Sequence, residues 1–196
     1  KQSNDALSIY LTIHSATASQ VFDYHQLNQY IETFVVTSFE QYGQSIPKPG
    51  PIAPLHNQDS SSNTSIATTV EKCLKSGIPS NKLIVGIPYF GAKWQMESHS
   101  SSALENKFIG YLPYREVTRL ALPEACCYDS ISESYYNNYI NTAADSIKIW
   151  YDNAYSLGKK YDWVNDQKLR GIGIWALGFD NGHTELWQLL EDKFTS

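Results

Sequence analysis

The sequence predicts a parallel α/β fold, and two features of the chain support this prediction. Apolar strand-like segments alternate with amphipathic helical segments along most of its length. The two strongest predicted strands, "KLIVGIPYFG" (Lys82–Gly91) and "GIGIWALG" (Gly171–Gly178), are apolar on both faces, as strands between two layers of helices are. Four predicted strands are too few for a closed eight-stranded barrel. The chain therefore forms either a small open sheet or half of a barrel.

Six further predicted elements complete the alternation. Alternating and β-branched residues predict strands over Ser8–Ile13 and Phe34–Phe39. Apolar residues at helical spacing predict four helices. These helices cover Asp23–Phe34, Ser65–Ser76, Ala154–Val164 and Thr184–Phe194.

Between Gln95 and Lys148 the regular pattern is lost. A Ser-rich loop is followed by a short amphipathic helix near Tyr114–Leu120 and by tyrosine-rich segments. We interpret this region as a small α+β insertion. The predicted organisation is therefore barrel-like strands and helices over 1–94, the insertion over 95–148, and the last helices and strand over 149–196.

Composition indicates a globular protein and excludes several kinds of partner. The 196 residues are 42% hydrophobic and 18% charged, with a net charge of -5 and no basic cluster, which argues against nucleic acid and anionic membranes. No apolar run reaches membrane length. Three cysteines (Cys73, Cys126 and Cys127) are too few for a disulfide framework, and we expect the neighbouring pair to be buried thiols rather than a vicinal bridge. The sequence has no metal-ligand spacing, and we expect neither a metal nor a cofactor.

Aromatic side chains cluster where the predicted strands end. Function in parallel α/β proteins gathers at the carboxyl ends of the strands, and flat aromatic faces suit stacking on sugar rings. Some of these residues have plainer interpretations: Glu40 pairing with a lysine, Asp180 capping a turn and His14 packing in the core. The strand ends carry His14, Phe39, Glu40, Tyr42, Tyr89, Phe90, Trp94, Trp175 and Asp180.

Five segments, in a fixed order, resemble one known family. The chain is similar to the C-terminal half of glycoside hydrolase family 18, the chitinase-like barrels, and especially to its spore-wall and peptidoglycan-associated bacterial members. The segments cover most of the chain. They are "PGPIAPL" (Pro49–Leu55), "IPSNKLIVGIPYFGAKW" (Ile78–Trp94), "IGYLPYREV" (Ile109–Val117), "IWYDNAYSLGKKYDWV" (Ile149–Val164) and "LRGIGIWALGFD" (Leu169–Asp180).

The resemblance implies a fold, a substrate and a mechanism. The four strands correspond to strands five to eight of a TIM (β/α)8 barrel, and the insertion walls one side of a cleft. The ligand is a β-1,4-linked N-acetylglucosamine glycan, either chitin or a peptidoglycan-like polymer. Hydrolysis retains configuration, with the substrate's own 2-acetamido group as nucleophile and a glutamic acid as proton donor. The family also implies export to the periplasm, the cell surface or the medium.

Site residues carried over from the family match this chain in part. Trp175 matches the apolar floor beneath the sugar, Tyr89 and Trp94 match aromatics that line the cleft, and Asp152 matches a common acid. The strand-six pattern, usually Met-x-Tyr-Asp, reads Thr-Ser-Phe-Glu here. Phe39 therefore lacks the hydroxyl that holds the acetamido oxygen, and Glu40 bears its charge on a longer arm. A further departure is Ala92, which stands where many relatives have arginine.

The acid/base signature D-x-x-D-x-D-x-E does not occur in this sequence. The family places it before strand five, so we expect the catalytic glutamate upstream, no catalytic residue within these 196 residues, and no activity from them alone. Two alternatives remain: a non-catalytic, lectin-like carbohydrate binder and a small α/β interaction module. A half-barrel would leave Ile9 and Leu11 at an open sheet edge, which predicts self-association or pairing with a missing N-terminal half.

Overall fold

A computed structural model describes residues 7–14, 22–40, 42–44, 46, 48–57, 64–96, 106–121 and 123–195. Its backbone forms two sheets. The first is a four-stranded parallel sheet in the order β1-β2-β3-β9. Its strands are β1 (Tyr10–His14), β2 (Thr33–Thr37), β3 (Leu83–Pro88) and β9 (Gly171–Trp175).

Four helices accompany the parallel sheet, and one face of it carries the main core. The helices are α1 (Tyr24–Leu27), α2 (Ile66–Lys75), α4 (Ala154–Asp166) and α5 (Thr184–Phe194). Apolar strand residues such as Phe34, Val85 and Ile87 are buried against Val70 of α2 and Leu157 of α4. This parallel α/β arrangement confirms the predicted fold class.

The second sheet is antiparallel, five-stranded, and ordered β5-β4-β8-β7-β6. The helix α3 (Tyr114–Leu120) packs on one of its faces through Val117. We call this unit the insertion sheet. Its strands are β4 (Phe90–Met96), β5 (Lys107–Pro113), β6 (Cys126–Asp129), β7 (Ser134–Ile140) and β8 (Ser146–Tyr151).

Two element predictions were wrong at their boundaries. The segment Lys82–Gly91 is not one strand: β3 ends at Pro88, and β4 begins at Phe90 in the other sheet. The predicted helix over Asp23–Phe34 is a single turn ending at Leu27. A turn follows, and pairing of Thr33–Thr37 with β1 takes only the last two residues of that segment into the parallel sheet, because burial between strands outweighs a weak helical pattern.

The cysteines also differ from the prediction. All three are free thiols, but only Cys73 is buried, whereas Cys126 and Cys127 are half-buried. The two neighbours lie in the extended strand β6, so their side chains point to opposite faces of the insertion sheet. This geometry disfavours a vicinal bridge.

Candidate functional site

Trp175 is a large, exposed aromatic residue at the carboxyl end of a parallel strand. It is the last residue of β9, and 59% of it is accessible to solvent. Its backbone carbonyl accepts a hydrogen bond of 2.7 Å from the amide of Tyr89, and the peptide bond between Trp175 and Ala176 is cis. The exposed indole offers a flat apolar face to solvent.

Phe39 also lies at the carboxyl ends of the parallel strands, two strands away from Trp175. It follows β2 and is half-buried, with its ring 5.9 Å from that of Phe90 in an edge-to-face contact. Phe90 in turn contacts Phe179, at 6.4 Å, in the turn after β9. Since neighbouring strands lie about 4.8 Å apart, Phe39 and Trp175 are separated by roughly 10 Å across the sheet. An aromatic strip thus runs along the carboxyl ends of the parallel strands, formed by Phe39, Phe90, Phe179 and Trp175.

Glu40 adds a negative charge at the carboxyl ends of the parallel strands, beside a tyrosine of the insertion sheet. The residue is exposed and adopts a left-handed backbone conformation (φ 61°). Burial, and then the charge of Glu40, raise the pKa of Tyr111 to about 12. Tyr111 is 38% exposed and packs on Phe90 at 5.1 Å. Its hydroxyl therefore stays protonated and can donate a hydrogen bond at neutral pH.

Tyr111 was missed as a site residue at the sequence level. It lies in the segment "IGYLPYREV", which was quoted for the resemblance, but its strand sits in the insertion, where the chain alone gives no pairing. Its register opposite Ala92 brings it to the same face as Phe90. The only available signal was a single tyrosine in an otherwise apolar strand.

Tyr89 and Trp94, both predicted to line a cleft, are buried. The Tyr89 hydroxyl lies 3.1 Å from that of Tyr161, and burial raises its pKa. The Trp94 side chain is fully enclosed and packs edge-to-face against Phe108 at 5.1 Å. Both side chains pack in the interior, and neither offers a stacking surface to a ligand.

Asp152 lies away from the aromatic strip, in a buried ion pair. Both of its carboxylate oxygens lie 2.7 Å from the ammonium of Lys160, and Oδ1 also accepts a hydrogen bond from the Ser156 hydroxyl. Its charge is therefore used within the protein. Lys160 was missed, although a lysine on the apolar face shared by Leu157 and Val164 was a signal in the sequence.

Two other residues at the strand ends differ in burial. Asp180 is buried, and its carbonyl accepts a hydrogen bond of 2.8 Å from the amide of His183. His14 ends β1 and is exposed, so the interpretation that it packs in the core is wrong. Within the described residues, no group of three His, Cys, Asp or Glu side chains could hold a metal ion. No helix in that part of the chain is long and apolar enough to cross a membrane.

Comparison with known proteins identifies the family. Residues 1–180 match the sequence model of Glycosyl hydrolases family 18. The chain is 27% identical over 176 residues to a protein named Probable chitinase 10 from Drosophila melanogaster, an alignment that covers 82% of this chain and 8% of the relative.

Solved structures have the same fold. A chitinase-like agglutinin from Robinia pseudoacacia superposes with a TM-score of 0.79 at 19% identity, over 96% of this chain and 55% of that one. A family GH18 chitinase from Cycas revoluta, solved with allosamidin, gives 0.76 at 19% identity, over 95% of this chain and 56% of that one.

The chain spans less than half the length of the curated relatives it matches. The family match nevertheless extends over most of the chain and agrees with the fold. The chain therefore belongs to glycosyl hydrolases family 18.

Proposed function

We propose that the chain is the C-terminal half of a chitinase-like glycoside hydrolase, with β1, β2, β3 and β9 as strands five to eight of a (β/α)8 barrel. The strand order supports this, because the four strands follow one another in a single parallel sheet. Within the described residues the sheet has two open edges, β1 and β9. A barrel would close by pairing both edges with four further strands.

The proposed ligand is a β-1,4-linked N-acetylglucosamine glycan. The exposure of Trp175 at the strand ends carries this proposal, because a large, flat aromatic face is suited to stacking on a sugar ring. The related Cycas revoluta chitinase has been solved in complex with (GlcNAc)3. Phe39 and Glu40 would contact the same glycan from the end of β2, two strands away from Trp175.

The proposed reaction is substrate-assisted retaining hydrolysis, with the proton donor supplied from outside these residues. The chain would contribute the apolar floor through Trp175 and the negative charge that orients the acetamido group through Glu40. Phe39 has no hydroxyl for the acetamido oxygen. Losing one such donor costs about 100- to 1000-fold in rate, and the proposed substitute is the protonated hydroxyl of Tyr111, whose pKa the charge of Glu40 helps to raise.

A lectin-like, non-catalytic role is the second candidate. Phe39 and Ala92 favour it, since both lack polar groups that the family's pattern places at these positions. The similarity to a chitinase-like agglutinin supports this second candidate. In either role we propose that the protein acts after export, at the cell surface, in the periplasm or in the medium.

The experiment is a calorimetric titration of the full-length protein with chitotriose, paired with a hydrolysis assay. Trp175→Ala should weaken binding about 10- to 100-fold, because it removes an apolar stacking surface. The matched control is Tyr30→Ala, which removes a 50% exposed aromatic from the turn before β2. Turnover supports the enzyme, and binding without turnover supports the lectin. Absence of binding to any N-acetylglucosamine oligomer would reject both.

A further inference from the structure

A cavity lies on the insertion sheet, between α3 and the start of α4. Its volume is about 500 Å³, within the usual range of about 300–1,000 Å³ for small-molecule sites. Three tyrosines line it, together with a hydroxyl, a thiol and an amide. These residues are Tyr114, Tyr135, Tyr151, Thr118, Cys126 and Asn153.

This cavity is separate from the aromatic strip, because the two lie on opposite faces of the insertion sheet. Side chains alternate along a strand, so Tyr151 and Trp150 point in opposite directions. Tyr135 pairs with Tyr151 on the cavity face. Trp150 pairs with Ala92, which pairs with Tyr111 on the other face.

The lining is mixed, with aromatic faces and neutral polar groups. Burial raises the pKa of Tyr114 and of Tyr151, so both hydroxyls are protonated at neutral pH. Among the described residues that line the cavity, none is an acid or a base. Such a surface disfavours a charged ligand, whose desolvation it would not repay.

The cavity keeps hydrogen-bonding capacity for a ligand. The Tyr151 hydroxyl and the Cys126 sulfur lie 3.1 Å apart, and either can donate to the other. Whichever donates, the hydrogen of its partner remains for a ligand. The ring of Tyr135 lies 6.2 Å from that of Tyr151, which places flat aromatic surface beside these donors.

We propose that this cavity is a second carbohydrate-binding site, which takes a single neutral pyranose unit. A sugar ring combines an apolar face with neutral hydroxyl groups, and the cavity offers aromatic faces beside neutral donors and acceptors. The site lies on the face of the insertion sheet opposite to Tyr111, so its occupancy does not require a ligand on Trp175.

The test follows alkylation of Cys126 by iodoacetamide in the full chain carrying Cys127→Ser. Cys73 is buried, and burial raises its pKa to about 11, so Cys126 is the reactive thiol. Saturating N-acetylglucosamine should slow alkylation at least about fivefold. Tyr135→Phe should weaken this protection several-fold, whereas Tyr136→Phe, on the opposite face of the same strand, should not change it.

Two comparisons make the result decisive. D-glucuronate should protect far less than N-acetylglucosamine, and equal protection would overturn the assignment of a neutral ligand. Trp175→Ala should leave the protection unchanged, even where it abolishes chitotriose binding. Absence of protection, or its loss in Trp175→Ala, would overturn the second site without bearing on the first.

Discussion

Lys160 and Asp152 form a buried ion pair that ties three parts of the chain together. The ammonium lies 2.7 Å from both carboxylate oxygens, and only 1% and 5% of the two side chains are exposed. It also donates to the carbonyl of Ala53, at 2.8 Å, and to the hydroxyl of Ser134, at 3.1 Å. One lysine of α4 thus holds the loop before α2 and the insertion sheet.

Removing Lys160 should strongly destabilise the fold. Lys160→Ala leaves the Asp152 carboxylate buried without its cation, which costs about 3–5 kcal/mol. Guanidinium denaturation measures the free energy of unfolding. The control is Lys159→Ala, which removes an exposed lysine from the same helix. Equal effects of the two variants would show that the buried pair has no special role.

Cys73 should make stability fall in alkaline solution. Burial raises its pKa to about 11 from a reference value of 9.0, so the unfolded thiol ionises first as the pH rises. The stabilisation is complete below pH 9 and is lost between pH 9 and about 11, by up to about 3 kcal/mol. Urea midpoints at pH 8 and pH 10.5 should therefore differ more for the wild type than for Cys73→Ala. Identical differences would contradict the assignment.

The charge of Glu40 should contribute to the raised pKa of Tyr111. Glu40→Gln should lower this pKa from about 12 without restoring the value of an exposed tyrosine, because burial is the larger cause. Ultraviolet difference titration measures the shift, and Tyr111→Phe identifies the signal. A Tyr111 titration that is unchanged in Glu40→Gln would separate the two residues.

The open edge at β9 should drive association. A groove of about 530 Å³ runs along this edge, and apolar side chains of β9 and α5 line most of it, including Ile174, Trp187 and Phe194. We expect the chain alone to self-associate, aggregate or pair with an N-terminal half, and Ile174→Lys to reduce self-association in light scattering. Ile140→Lys, at a 66% exposed position of β7, is the matched control. A monodisperse wild-type monomer at micromolar concentration would contradict the half-barrel proposal.

The elements that the sequence predicted best are those with a strong local pattern. The short helix Tyr114–Leu120 and the last helix Thr184–Phe194 have the predicted limits. The break at Tyr89 could not be predicted, because residues on both sides of it are apolar and only tertiary pairing assigns them to different sheets.

Within the candidate site, the position of Trp175 could be predicted, because a large aromatic side chain at the end of a buried strand is unusual. The burial of Trp94 and Asp152 could not. A tryptophan in a strand and an acid after a strand look the same in a sequence whether they face a ligand or the interior. Asp152 faces the interior because it pairs with Lys160, and only the first turns of α4 bring the two residues together.

Tyr89 is the single residue at which one sheet passes into the other, and both of its backbone polar groups are occupied. Its amide donates to the carbonyl of Trp175, and its own carbonyl accepts a hydrogen bond of 2.9 Å from the amide of Tyr114. The tryptophan and the insertion sheet are thereby anchored to the same residue, through the two peptide units that flank its Cα. Any hinge motion between them would break main-chain hydrogen bonds, so the tryptophan and the insertion sheet keep a fixed position relative to each other.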